Sequence, residues 1–154
     1  MGAPKSDSIF PRHLQRAINV AQHNEYYDKW RLGAVIVKGG NVVSKGHSRL
    51  LSDPSVCDFS HFVVPPRVSL HAEIDALRGV NNASGGVVYV ARMGRNGKIA
   101  MARPCANCEA ALVDARIKRV VYTIGPNEFG TWNIKSGSET IKDGDICQQD
   151  IVIQ

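Results

Sequence analysis

Six consecutive residues, Leu32-Gly33-Ala34-Val35-Ile36-Val37, carry no polar side chain. A strand with one wet face alternates apolar and polar residues, and this one does not. It reads as a strand buried on both faces, which calls for a layered α/β arrangement. Its neighbours can supply the layers. Upstream, Leu14, Ala17, Ile18 and Ala21 recur at i, i+3, i+4 and i+7, the stripe of an amphipathic helix. Asp7 or Ser8 can cap that helix, and Pro11 helps begin it. Downstream, Gly39-Gly40-Asn41 is a turn, and Val42-Val43-Ser44 returns as the second strand of a hairpin. Leu70, Ile74 and Leu77 mark a second helix stopped at Gly79. Val87 to Val90 is a strand. Cys108, Ala111, Leu112 and Ala115 line a third helix. Arg119 to Ile124 is a strand stopped by Gly125-Pro126. The order is helix, strand, strand, helix, strand, helix, strand. We expect a three-layer α-β-α domain around a central mixed sheet. The first two strands should be antiparallel and the later ones parallel, joined by right-handed crossovers.

Other stretches are less regular. Residues 45–67, with Pro54, Pro65 and Pro66, read as an irregular excursion. Residues 92–103 read as a loop turning at Gly94 and Asn96-Gly97. Phe129 to Ile134 reads as a last strand, and residues 135–154 are weakly specified. The 154 residues are expected to form one domain, with a core at about 9–134. With 44% hydrophobic and 21% charged residues, the chain is neither disordered nor a disulfide-dense mini-protein. No apolar run approaches the ~20 residues of a membrane span. No basic–apolar signal segment opens the chain, so a cytoplasmic, reducing setting is expected. In that setting the cysteines Cys57, Cys105, Cys108 and Cys147 suit metal or redox chemistry better than disulfides.

The net charge of +5 is concentrated. Residues 92–119 hold Arg92, Arg95, Lys98, Arg103, Arg116, Lys118 and Arg119 against Glu109 and Asp114. Such a segment can attract phosphate or nucleic acid, or it can be a solvated surface.

Two short motifs open the second and third helices. One is His71-Ala72-Glu73; the other is Pro104-Cys105-Ala106-Asn107-Cys108. Cys105 and Cys108, three apart, lie one turn apart on one helical face, where two sulfurs can share a metal. A helix start favours thiolate over thiol. Pro104 has no donor to waste there. His71 adds a neutral third ligand. Three protein ligands leave a fourth position open, the pattern of catalytic rather than structural zinc. Residues two apart on a helix point ~200° apart, so Glu73 and His71 converge only beyond the helix N-terminus. A water activated by the metal there would meet Glu73 as general base and then acid. A lone C-x-x-C could instead be a redox pair or half of a structural site completed by Cys57, His61 or Cys147.

Together the motifs read H-x-E…P-C-x-x-C, and from Leu14 to Ile124 the chain resembles the cytidine deaminase-like superfamily of zinc-dependent nucleobase deaminases. The resemblance implies a central mixed sheet flanked by helices. It implies His71, Cys105 and Cys108 as ligands of one catalytic zinc ion, and Glu73 as proton shuttle. It implies that the backbone near Ala72 and Pro104 lines the base pocket. Gly46-His47-Ser48-Arg49 places Ser48 where many relatives carry a substrate-contacting Asn, so Ser48 and His47 are the candidate substrate contacts there. It also implies a homo-oligomer. Cys57 and His61, four apart, read as a buried thiol and a surface imidazole, since further ligands for a second metal are not evident.

The leading expectation is hydrolytic deamination of the cytosine of a free nucleoside or nucleotide. The alternatives are a deaminase of cytosine or adenine in single-stranded DNA or tRNA, a pyrimidine deaminase of riboflavin synthesis, and a non-catalytic zinc-stabilised module. No membrane partner is expected.

Overall fold

A computed structural model of the chain describes residues 9–24, 30–51, 68–94, 96–143 and 150–153. Helix α1 (Arg12–Gln22) precedes the hairpin β1 (Trp30–Lys38) and β2 (Asn41–His47). The short strands β3 (Arg49–Leu51) and β4 (Val68–Leu70) pair with each other and lead to α2 (Ala72–Arg78). Then come β5 (Val87–Gly94), β6 (Ile99–Ala100), α3 (Ala106–Asp114), β7 (Arg119–Gly125), β8 (Glu128–Asn133), β9 (Glu139–Asp143) and β10 (Asp150–Ile153). The main sheet runs β10-β9-β8-β7-β5-β1-β2, with β6 paired to β5. Among the described residues no helix is long and apolar enough to cross a membrane.

The unbroken apolar run behaves as its composition requires. Alternate residues of β1 enter opposite cores: Ala34 and Ile36 one, Val35 and Val37 the other. In β5, Val88 and Val90 face the first core and Ala91 and Met93 the second. Helix α1 covers the second face with Leu14, Ala17, Ile18 and Ala21, the four residues of its stripe. Ala72 and Ala76 of α2, and Leu112 of α3, cover the first. The sheet is therefore mixed, with helices on both faces.

Two glycines let the helices come close. A Cβ on Gly33 would lie 2.5 Å from the Ala21 nitrogen and 2.6 Å from the Ala17 oxygen. A Cβ on Gly46 would lie 2.3 Å from the Ala76 nitrogen and 2.5 Å from the Ala72 oxygen. Thus α1 rests on β1 and α2 rests on β2, backbone against backbone.

Several expectations need correction. Strands β5 and β7 are parallel, joined through α3, but β5 is antiparallel to β1. The hairpin reverses the chain, and β5 then returns beside β1 rather than beside β2. Strands β8, β9 and β10 are antiparallel to their neighbours. The segment 92–103 is no simple loop: β5 runs on to Gly94 and pairs with β6, and Gly97 (φ 79°) closes the turn. Residues beyond 135 supply β9 and β10. Pro11 is itself the N-cap of α1, without a side-chain cap bond. Asp7 and Ser8 lie outside the described residues, as does the stretch 52–67.

Candidate metal centre

Helices α2 and α3 begin alike. His71 and Cys105 are their N-cap residues, both with extended backbone (φ −76°, ψ 152° and φ −72°, ψ 171°). Each carbonyl starts its helix: Asp75 N donates to His71 O at 2.9 Å and Glu109 N to Cys105 O at 2.8 Å. Neither side chain caps its own helix. Both are left free to meet each other. Cys108 follows one turn into α3 and is packed with Leu70 and Ile74, the residues that seat α2 against α3.

The three donors converge. His71 Nδ1 lies 3.2 Å from Cys108 Sγ and 3.6 Å from Cys105 Sγ, and all three ligand atoms fall within 4.8 Å of one another. A tetrahedral zinc with ordinary bond lengths separates N and S by about 3.6 Å and two sulfurs by about 3.8 Å. The two N–S distances lie within about 0.4 Å of that geometry. Cys108 is buried, His71 half-buried and Cys105 exposed, so the centre is open on the Cys105 side.

Glu73 completes the arrangement from the second residue of α2. It is 3% exposed, and its Oε1 has no hydrogen-bond partner. Burial pushes its carboxyl up to about 7, against the pull of its own backbone N–H and the Cys108 thiol. Burial pushes the Cys108 thiol up too, helped by the Glu73 charge and by Cys105. Burial holds the His71 imidazole below its ordinary value, in the neutral form that binds metal. Two buried anion-forming groups and an orphaned carboxylate oxygen are the electrostatic signature of a place built for a cation. The donor set of one imidazole and two thiols suits zinc.

The other sequence candidates are placed as follows. Ala72 is buried, its carbonyl against Gly46, and Pro104 is buried directly before Cys105. Ser48 is buried, and its hydroxyl accepts hydrogen bonds from Asn24 Nδ2 (3.0 Å) and Leu32 N (3.2 Å). Its hydroxyl thereby links β1 to the end of α1. His47 gives its backbone N–H to Asp75 Oδ2 at 3.1 Å, and its Nδ1 lies 3.3 Å from Ser48 O. Cys57, His61 and Cys147 lie outside the described residues.

Sequence reasoning missed two supports of the centre. Asp75, on α2, joins β2 to the helix by accepting from His47 N and from Arg49 Nη2 at 2.7 Å. Arg103, two residues before Cys105, is held by Glu109 and Glu139. The sequence signal for the first is slight: Asp75 is an acid in the first turn of α2, where the helix dipole favours one. Nothing local hints at the second, because Glu139 is 36 residues away.

Comparison with known proteins agrees with this centre. The cyanophage S-TIM5 dCMP deaminase, solved with dCMP and dUMP, shares the fold, with a TM-score of 0.53. It is 20% identical over 79% of this chain and 83% of that one. Acinetobacter baumannii RibD is 25% identical over 73% of this chain, which spans 27% of that protein (TM-score 0.46). Cytidine deaminase of Mycobacterium tuberculosis is 18% identical over 71% of this chain and 80% of that one (TM-score 0.45). No curated protein sequence matches significantly. Residues 9–124 match the cytidine and deoxycytidylate deaminase zinc-binding region, and they hold both motifs and every helix described above. With the match spanning most of its length, the chain belongs to this family of zinc deaminases.

Proposed function

We propose that the chain removes the amino group from the cytosine of a free nucleoside or nucleotide by hydrolysis, releasing ammonia. One observation carries the reading: Glu73 is buried with a free carboxylate oxygen beside the thiol of a His-Cys-Cys triad. A structural metal site has no use for such a group, whereas a hydrolytic one needs a base there.

His71, Cys105 and Cys108 would hold the zinc, which when bound supplies a Lewis acid that makes water reactive at neutral pH. Glu73 does the proton work at Oε1. It takes a proton from the attacking water and passes it to the ring nitrogen next to C4. It then carries the second proton of that water to the departing amine. A C4–O bond forms, the C4–N bond breaks, and ammonia leaves with the carbonyl product. Because Glu73 is shut away from solvent, the proton it takes is kept for the leaving group.

The substrate class rests on two supports. The similar cyanophage enzyme is bound to dCMP, a free cytosine nucleotide. And Arg103, the basic residue closest in sequence to Cys105, is already held by Glu109 and Glu139, which leaves it unsuited to gripping a polynucleotide backbone.

The test is ammonia release by the purified zinc-loaded protein. The panel holds cytidine, deoxycytidine, their monophosphates, adenosine, guanine and short single-stranded DNA. Turnover of a free cytosine compound is expected. Turnover of the oligonucleotide alone would overturn the free-substrate assignment, and silence on the whole panel would overturn the cytosine assignment.

A further inference from the structure

Strand β9 lies beyond the family-matched residues 9–124, yet its first residue reaches the loop that presents Cys105. That loop, residues 101–105, is neither helix nor strand. Pro104 has no N–H to anchor it. Ala102 N donates to Thr123 O at 2.8 Å, three residues before the thiol-bearing Cys105. Of the two thiols, Cys108 is placed by core packing, while Cys105 is exposed and has no such cover.

Arg103 ties the loop down. Its Nε donates to Glu139 Oε2 at 2.7 Å and its Nη2 to Glu139 Oε1 at 3.2 Å, a two-pronged pairing. Its Nη1 donates to Glu109, the residue of α3 whose backbone N–H bonds Cys105 O. The guanidinium lies over the Trp132 ring of β8, 5.1 Å from the centroid. Glu139 is in turn held by the Tyr122 hydroxyl of β7, and its side chain is only 12% exposed. A planar guanidinium gripped by a forked carboxylate and stacked on a ring has one orientation available. Strands β7, β8 and β9 and helix α3 thus meet at one side chain two residues from Cys105.

We propose that Glu139 is a positioning residue for the metal centre: acting through Arg103, it fixes the loop that presents the Cys105 thiol. The proposal rests on the reading that His71, Cys105 and Cys108 hold zinc. It gives the C-terminal strands a part in the site that the family-matched region alone does not contain.

The test compares wild type, Glu139→Gln and Arg103→Lys as full chains. Glu139→Gln keeps the shape and removes the charge; Arg103→Lys keeps the charge and removes the fork. Zinc affinity is read by competition with a chromogenic chelator, and thiolate coordination by the absorption of the cobalt(II)-loaded protein. Thermal unfolding of the metal-free chains reports the fold. Supporting residues around metal ligands are commonly worth ~10–100-fold in affinity. Both variants are expected to bind zinc about tenfold or more weakly, with altered thiolate-to-cobalt bands, while still unfolding cooperatively. Wild-type zinc affinity and unchanged cobalt bands in both variants would overturn the proposal, whatever their melting temperatures. If Glu139→Gln fails to fold, Arg103→Lys decides; failure of both makes the pair a folding determinant and overturns it too. A wild type without thiolate-to-cobalt bands is a different failure, since it removes the zinc site itself.

Discussion

At the residue scale, Gly46 sets how near helix α2 can approach the sheet. The helix carries the buried Glu73 and starts at His71, so its seat also places that carboxyl and one donor of the His-Cys-Cys cluster. A methyl group at position 46 has only backbone to push against. Gly46→Ala should therefore cost about 1–3 kcal/mol, the usual range for overpacking. Thermal unfolding of the variant checks this, and an unchanged melting temperature would show that α2 can move freely. Neither close-approach glycine announces itself in the sequence: Gly33 sits inside an ordinary apolar strand run, and Gly46 falls in a stretch that reads as irregular although β2 extends to His47. The chemistry-bearing residues are different. His71, Glu73, Cys105 and Cys108 are legible because the two motifs occur together and in order, each at a helix start; either motif alone has several other uses. Ser48 shows the limit of such legibility. The resemblance offers it as a candidate substrate contact, and the structure adds that its hydroxyl accepts from Asn24 and Leu32.

At the scale of elements, apolar runs and helical stripes foretold α1, β1, β2, α2, β5, α3 and β7. Short strands, such as β6 and β9, escaped. Strand β6 has two residues, and β9, Glu-Thr-Ile-Lys-Asp, has a single apolar one. Pairing with a neighbour, not composition, makes these strands. The exit from α3 offers a prediction of its own. Arg116, just past the C-cap Ala115, has φ 62°, a left-handed conformation that a side chain disfavours. Its carbonyl accepts from Gly85 N at 2.9 Å, which holds the turn in place. Arg116→Gly should stabilise the protein by about 1 kcal/mol, since glycine bears no Cβ penalty at this position. Denaturant unfolding should show a raised midpoint; a lowered one would mean that the arginine side chain makes contacts worth more than the strain.

At the scale of the whole molecule, the sheet continues past the family-matched region, and Glu139 joins that continuation to the metal-centre loop. Sequence patterning could not reveal this, because Arg103 and Glu139 are far apart in the chain and neither breaks a local rule. Nor could it place β5 beside β1, because nothing local specifies which strand a crossover returns to. The link has a pH signature. Burial alone would push the Glu139 carboxyl up, but hydrogen bonds from Arg103 and Tyr122 outweigh it and hold it below its ordinary value of 4.5. A carboxylate lowered in the folded state stabilises the fold above its unfolded pKa, and that stability is lost as pH falls through the folded value. Among the described residues, Arg103, shared with Glu109, and Tyr122 are the groups that face it. The metal-free wild type should therefore melt above Glu139→Gln at neutral pH, with the gap closing below about pH 4.5. A gap that stays constant into acid would contradict the charge pairing.

The proposed centre divides its labour: Cys105 would hold the metal and Glu73 would move the protons. Zinc content and ammonia release, measured side by side in Cys105→Ser and Glu73→Gln, test it most directly. Cys105→Ser should lose both together. Glu73→Gln should keep its zinc and its fold, while turnover of the cytosine substrate falls by a factor of about 10²–10⁴, the usual worth of a positioned general base. A Glu73→Gln protein as active as wild type, or a Cys105→Ser protein that still holds zinc and turns over, would contradict it.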